Sequence, residues 1–370
     1  MGLPLGLLLV LQQPLILDGH IDTPQRMLDM RADITARLPD GHVDLPRMRE
    51  GGLSAAFFSI WVDARYGRGA AFRRALNLIG AVRTLADTNP DVELATTADE
   101  VRGAVARGHV AALMGVEGGH AIEGSLEKLD SLYQLGVRYM TLTWNNGNEW
   151  AGSSTDARRH GGLTAFGRRV VRRMNELGML VDVSHVSDST FWDVLATTTR
   201  PVIASHSSCR ALARHPRNLT DEQLRAIAKN GGMVGINFYP VFLDDRFREQ
   251  YEELRRRLKP EIDSIRARYR GRPGESAFEV EKLVGERAAG LDVPTLDRLV
   301  EHIDHAVRVM GIDHVGLGSD FDGISVLPRP MKDVTSLPEL VRALEARGYP
   351  DADVRKILGE NFLRLLTAGP

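Results

Sequence analysis

Apolar residues recur along this chain in eight short runs, at 15–18, 55–61, 110–116, 139–143, 180–183, 202–205, 233–237 and 315–318. The runs are mostly continuous, not alternating, which suits strands buried on both faces, as in parallel sheets. Between them apolar residues return at helical spacing, predicting helices over 70–86, 125–135, 164–177, 187–196 and 295–310, with 353–366 closing the chain. Three segments carry the Ser/Thr-x-x-Glu/Gln signature of a helix start: Thr97 with Glu100, Thr220 with Gln223, and Ser336 with Glu339. Eight strands separated by helices predict an α/β fold, a (β/α)8 TIM-like barrel. One stretch breaks the rhythm. Residues 243–289, between the seventh and eighth predicted strands, are rich in Glu and Arg at i,i+4 spacing and predict a helical insertion that is solvated or caps the catalytic face.

Composition narrows the class. The 370 residues are 43% hydrophobic and 26% charged with a net charge of −2, ordinary for a globular protein and without the basic excess of a nucleic-acid binder. The single cysteine, Cys209, rules out an intramolecular disulfide and a thiolate metal cluster, and reads as a small buried filler. Residues 1–14 form an apolar extension or atypical signal, too short to span a bilayer as a helix, and 15–370 read as one catalytic barrel domain. No other segment predicts a transmembrane span. The expected location is a soluble compartment, cytoplasmic, or exported or periplasmic if residues 1–13 act as a signal.

Candidate chemistry sits where the strands end. His20 and Asp22 follow the first run; at positions i and i+2 of an extended strand their side chains point the same way and can meet one cation. Glu117 ends the third run between glycines, and its two oxygens can bridge two metals. His185 and His206 end consecutive strands and read as co-ligands of one ion, with Asp182 positioned to orient a histidine. Asp320 follows the eighth strand, which neighbours the first in a closed barrel, so a proton acceptor is expected beside His20; Asp322 competes for that role, but its Asp-Gly pair reads as turn chemistry. His302 and His305 fall inside an amphipathic helix, and His42, His109, His120, His160, His215 and His314 lack a ligand context. Six such groups at the C-terminal ends of strands point to a metal-dependent hydrolase.

In order and wording the motifs LDGHIDTP, GVEGGH, VRYMTLTWN, LVDVSHVS, VIASHSS, RNLTDEQL, GGMVGINFY, VGLGSDFDG and LGENFLRLL resemble the renal (membrane) dipeptidase family of zinc peptidases, from Leu15 to Leu366. The resemblance implies a distorted (β/α)8 barrel, two Zn2+ ions, and hydrolysis of dipeptides that tolerates a C-terminal D-residue. It implies that His20 and Asp22 bind the first zinc, Glu117 bridges, His185 and His206 bind the second, and Asp320 shuttles the proton. It implies too that Arg217 grips the substrate carboxylate and that Tyr239 lies near the substrate. Where mammalian members carry a histidine after Leu-Thr, this chain has Trp144 followed by Asn145 and Asn146, so Trp144 and Asn145 are expected to alter substrate binding. The expected partner is a small dipeptide, with no nucleic acid and a homodimer left open. Competing readings are another amidohydrolase-type metal hydrolase acting on a lactone, ester or cyclic amide, and a non-catalytic binding barrel.

Overall fold

Each of the eight apolar runs becomes a strand. The computed structural model describes residues 15–156 and 161–366, so the apolar extension at 1–14 and His160 lie outside the described residues. The strands are β1 (Ile16–Ile21), β2 (Leu53–Trp61), β3 (Val92–Leu94), β4 (Val110–Glu117), β5 (Val137–Thr141), β6 (Leu180–Asp182), β7 (Val202–Ser207), β8 (Met233–Ile236) and β9 (Val315–Leu317). Every pairing among these strands is parallel. The order β1–β2–β4–β5–β6–β7–β8–β9 returns to β1 through Asp18 and Leu317, which closes an eight-stranded (β/α)8 barrel. The additional strand, β3, escaped the sequence reading because three residues carry too little pattern. It pairs with the start of β4 at Val110–Ala112, below the point where β5 takes the same edge at Met114.

The two-residue period of a strand sorts the apolar side chains into two cores. Leu17, Ala55, Phe57, Ala111, Leu113, Tyr139, Leu180, Ile203 and Met233 fill the barrel interior. Their neighbours in sequence, such as Ile16, Ala56, Phe58, Ala112, Met140, Val181 and Val234, pack outward under the helices. Phe362 joins the inner set, and a Cβ on Gly19 would stand 2.3 Å from its ring. The terminal LGENFLRLL segment therefore plugs the barrel, held by Asn361, whose side chain donates to the carbonyls of Ile312 and Val315.

Two expectations fail locally. The closing helix is not continuous: Asp351–Arg355 gives way to a widened turn at Lys356–Glu360 and a last turn at Asn361–Leu363. Gly359 leaves helical geometry there, and a Cβ on it would press on Leu15 and Leu17 at 2.9 and 3.1 Å, so the missing side chain lets the segment lie against β1. The capping boxes at Thr97 and Thr220 form with both reciprocal bonds, but the one at Ser336 does not. Ser336 already has right-handed helical backbone, at the end of a short turn capped by Asp333, and its hydroxyl instead accepts from the Lys332 N–H.

The insertion forms the helices Pro240–Leu243, Asp245–Arg257, Lys259–Arg268 and Pro273–Ala288. Its pairs Arg248–Glu252 and Lys259–Asp263 realise the i,i+4 charge pattern on the exposed faces. The helices bury their own cluster, including Phe247, Tyr251, Leu258, Ile262 and Val284. Tyr251 fastens that cluster to the loop after β9 through its hydroxyl, 2.7 Å from Ser325 Oγ. Among the described residues no helix is long and apolar enough to cross a membrane.

Gly115 lies tightly against the inner core, since a Cβ there would stand 2.0 Å from the Tyr139 ring. The substitution Gly115→Ala is expected to cost about 1–3 kcal/mol by overpacking, read as a lower urea midpoint at unchanged slope.

Candidate metal centre

The C-terminal strand ends bring His20, Asp22, Glu117, His185, His206 and Asp320 into one buried cluster. Glu117 stands at its centre. Its Oε1 lies 2.8 Å from His185 Nε2 and 3.6 Å from His206 Nε2, and its Oε2 lies 3.3 Å from His20 Nε2. Asp22 Oδ2 is 3.6 Å from the same His20 nitrogen. Donor atoms of His20, Glu117 and His206 lie within 4.8 Å of one another, as do those of His20, Asp22 and Asp320.

The other ring nitrogen of each histidine is anchored. His20 Nδ1 lies 2.8 Å from the Tyr139 hydroxyl, which donates to the Gly19 carbonyl and so accepts from the imidazole. His206 Nδ1 lies 2.8 Å from Ser205 Oγ, whose proton goes to Asp182, so this imidazole donates too. His185 Nδ1 faces the Asn145 side-chain oxygen at 3.2 Å. With Nδ1 carrying the proton, Nε2 of His185 and of His206 offers a lone pair, and these two atoms face each other at 2.9 Å. Two facing lone pairs repel unless a proton or a cation lies between them. His20 Nε2 is buried without a hydrogen-bond partner beside two carboxylates. Imidazoles and carboxylates fixed this way fit a divalent cation of the zinc type.

Charge in the cluster follows from burial. Burial works against ionisation of Glu117, yet His20 and His185 hold its carboxyl well below the usual range. Burial likewise opposes a charge on His20, but Tyr139, Glu117 and Asp22 lift it well above the ordinary imidazole value, so a cation competes with a proton there. His185 is pushed down to about 4 by burial and by the nearby Arg217, and His206 is also driven well down, chiefly by burial. Asp320 is raised to about 7, first by burial and then by the negative charge of Asp22. Its Oδ2 accepts from Asn237 Nδ2 at 3.0 Å.

Backbone geometry aims two of these groups. His185 and Asp320 have φ of 67° and 66°, left-handed conformations that are unusual outside glycine. They are held by local bonds, from the Ser154 N–H to the His185 carbonyl and from the Asp320 N–H to the His20 carbonyl. Two buried carboxylates brace the strand ends beneath. Asp18 Oδ1 accepts from the N–H groups of His20 and Ser319, joining β1 to β9. Asp182 accepts from Thr141, Ser184 and Ser205, joining β5, β6 and β7, and it reaches His206 through Ser205. A Cβ on Gly323 would stand 2.1 Å from Asp22 and 2.5 Å from Asp320, so only glycine leaves these two carboxylates room.

The remaining candidates divide. Asp322 serves the scaffold: it accepts from the His42 N–H, the Thr23 hydroxyl and Arg26. Arg217 is buried; its guanidinium donates to Ser207 Oγ and the His206 carbonyl, lies 5.4 Å from the centroid of the Phe242 ring, and keeps Nε unpartnered. Burial lowers it to about 10. Trp144 packs edge-on against Trp61 at 5.1 Å. Tyr239 turns its ring to Phe242 and Tyr251, into the contact with the insertion. Cys209 and His302 are paired in the core, the Cys209 N–H donating to His302 Nδ1. Sequence reasoning missed Tyr139, Ser205 and Asn237, which look like ordinary strand residues, and it dismissed His120, which is buried near Glu117.

The family described as membrane dipeptidase, peptidase family M19, matches residues 8–368. Among solved structures, the chain is similar to a metallopeptidase from Rhodobacter sphaeroides liganded with a phosphinate mimic of the dipeptide L-Ala-D-Ala, at 30% identity and a TM-score of 0.76, covering 95% of this chain and 98% of that one. It is similar to a metallopeptidase named dipeptidase AC at 31% identity and a TM-score of 0.76, over 95% and 98% of the two chains. A probable dipeptidase, PvdM, from Pseudomonas aeruginosa matches at 27% identity and a TM-score of 0.81, over 96% and 95%.

The two neighbouring aspartates are expected to respond oppositely to neutralisation. Asp322→Asn breaks a buried network and should cost about 2 kcal/mol or more of unfolding free energy. Asp320→Asn relieves repulsion with Asp22 and should leave stability unchanged or raise it. Urea titration of both variants checks this, and a stability loss confined to Asp320→Asn would reverse the assignment.

Proposed function

Because the chain belongs to the membrane dipeptidase family, we propose that this metallopeptidase hydrolyses dipeptides, including those ending in a D-residue, at a centre holding two zinc ions. The observation that carries this reading is the split of Glu117, one oxygen toward His185 and His206 and the other toward His20. His20 and Asp22 would hold one ion, His185 and His206 the other, and Glu117 both. Bound there, zinc supplies a Lewis acid for the peptide carbonyl and makes water acidic enough to attack near neutral pH.

The chain's own groups do the rest. Asp320, set by Asn237 beside Asp22, takes the proton of the attacking water and returns it to the departing nitrogen. Arg217 pairs with the substrate's free carboxylate. Support for that role is its state in the structure: a buried guanidinium with an unpartnered Nε and no carboxylate within salt-bridge distance among the described residues. A buried cation of this kind is costly unless an anion joins it. The substrate amine lies toward Asp22. These two anchors fix the length of substrate that fits, so longer peptides are excluded. Tolerance of a D-residue draws support from the L-Ala-D-Ala mimic held by the Rhodobacter sphaeroides relative. Trp144 and Asn145 replace the mammalian histidine by different means: Asn145 holds His185, and Trp144 with Trp61 makes an apolar wall.

Metal analysis of the purified protein is expected to find zinc, and dialysis against a chelator to abolish dipeptide hydrolysis until zinc is restored. Tripeptides should be cleaved at least about a hundredfold less efficiently than dipeptides. Equal cleavage of both, or activity indifferent to chelation, overturns the reading. Arg217→Met should raise KM and lower kcat/KM by about a hundredfold with the zinc content intact; unchanged kinetics would remove Arg217 from the substrate carboxylate.

A further inference from the structure

The two halves of the metal cluster carry unequal charge. On the β1 side, donor atoms of His20, Asp22 and Asp320 lie within 4.8 Å of one another, so two whole carboxylates stand there beside Glu117 Oε2. On the β6–β7 side, His185 and His206 face a single carboxylate oxygen, Glu117 Oε1, within salt-bridge distance among the described residues. Asp182 lies one hydroxyl behind His206, but four donors already hold it: the Thr141 and Ser205 hydroxyls and the N–H groups of Ser184 and Ser205.

A cation adjoins this poorer half. The Arg217 guanidinium, 3% exposed, donates to the His206 carbonyl at 3.0 Å and to Ser207 Oγ at 3.3 Å. Ser207 Oγ in turn lies 3.4 Å from Ser184 Oγ, on the residue before His185. The charge of Arg217 therefore bears on both the His185 and the His206 rings. Buried charges are poorly screened by water and salt, so a divalent cation between these two imidazoles is repelled by the guanidinium. A cation at His20 and Asp22 is instead drawn in by two carboxylates.

We infer that the ion at His185 and His206 is the more weakly held of the two, and that the dipeptide's carboxylate tightens it by neutralising Arg217. The inference rests on the two-zinc dipeptidase reading above. A carboxylate paired with the guanidinium cancels the repulsion, so binding of the substrate and of this ion favour each other. The coupling is reciprocal: the ion strengthens the grip on the carboxylate by the same factor. Where zinc is scarce, the substrate thus helps to complete the centre that acts on it, and the ion at His20 and Asp22 stays in place without it.

The test titrates the zinc-loaded protein with a chromogenic chelator and reads the zinc released. Release is expected in two phases, and His185→Asn, a substitution that suits the left-handed backbone there, should remove the weaker phase alone. N-acetyl-D-alanine offers a carboxylate without a free amine to chelate zinc, and is expected to move the weaker phase to about tenfold higher chelator. N-acetyl-D-alaninamide, which lacks the carboxylate, should move neither phase. Arg217→Met should strengthen the weaker phase by a similar factor with no ligand present and make it indifferent to the acid. Loss of the tighter phase in His185→Asn, equal effects of acid and amide, or a folded Arg217→Met protein whose weaker phase still answers to the acid overturns the inference. If that variant does not fold, acid against amide on the wild type decides. Two zinc ions released together from a protein that cleaves dipeptides sink the inference alone, whereas uptake of fewer than two zinc ions sinks the two-zinc reading and the inference with it.

Discussion

The structure is organised around one buried carboxylate. Glu117 lies at the mouth of a barrel, out of water, where an ionised carboxyl is costly unless positive or hydrogen-bonding groups surround it. Three imidazoles converge on it from β1, from β7 and from the turn after β6, each fixed from behind by a hydroxyl or an amide. Those anchors decide which nitrogen carries the proton, and so leave lone pairs of His185 and His206 crowded in front of the carboxylate. The centre is thus built to be incomplete without a cation, and the geometry of the strand ends follows from that need.

Meeting it costs the fold in other places. His185 and Asp320 sit in left-handed backbone, worth about 1 kcal/mol or more of strain each. Asp18 and Asp182 are buried carboxylates inside the barrel wall; backbone N–H groups hold one oxygen of Asp18, and backbone N–H groups and hydroxyls from adjoining strands hold both oxygens of Asp182. These bonds tie β1 to β9 and β5 to β6 and β7 at the level of the cluster. The inner core below supplies the compensating burial, with Phe57, Tyr139 and Phe362 packed around the axis.

Much of this was legible in the sequence because the barrel rule is positional. Strands buried on both faces show up as apolar runs, and functional groups sit just past their ends, so the six cluster residues could be read one by one. What escaped depends on distance in three dimensions. Tyr139 reads as a core aromatic in the run RYMT, and nothing local says that its hydroxyl meets His20, 119 residues away. Ser205 is one hydroxyl among several near His206, and only the approach of Asp182 gives it a direction. The failed box at Ser336 shows the converse: a local signature loses when the preceding turn already has a cap at Asp333. Tyr239 matched a substrate residue in sequence, and what the sequence did not show is that its ring also meets Tyr251 of the insertion.

The insertion has a hydrophobic core of its own, separate from both barrel cores. It leaves the scaffold directly after β8 and comes back ahead of the helix Leu296–Met310, with the Tyr251–Ser325 contact as a clasp on the opposite rim. A unit that buries its own apolar surface can exchange side chains, lengthen or shrink without disturbing strand register. Evolution can therefore remodel the roof of this molecule at a different pace from its floor, and a change of clientele need not touch the cluster around Glu117.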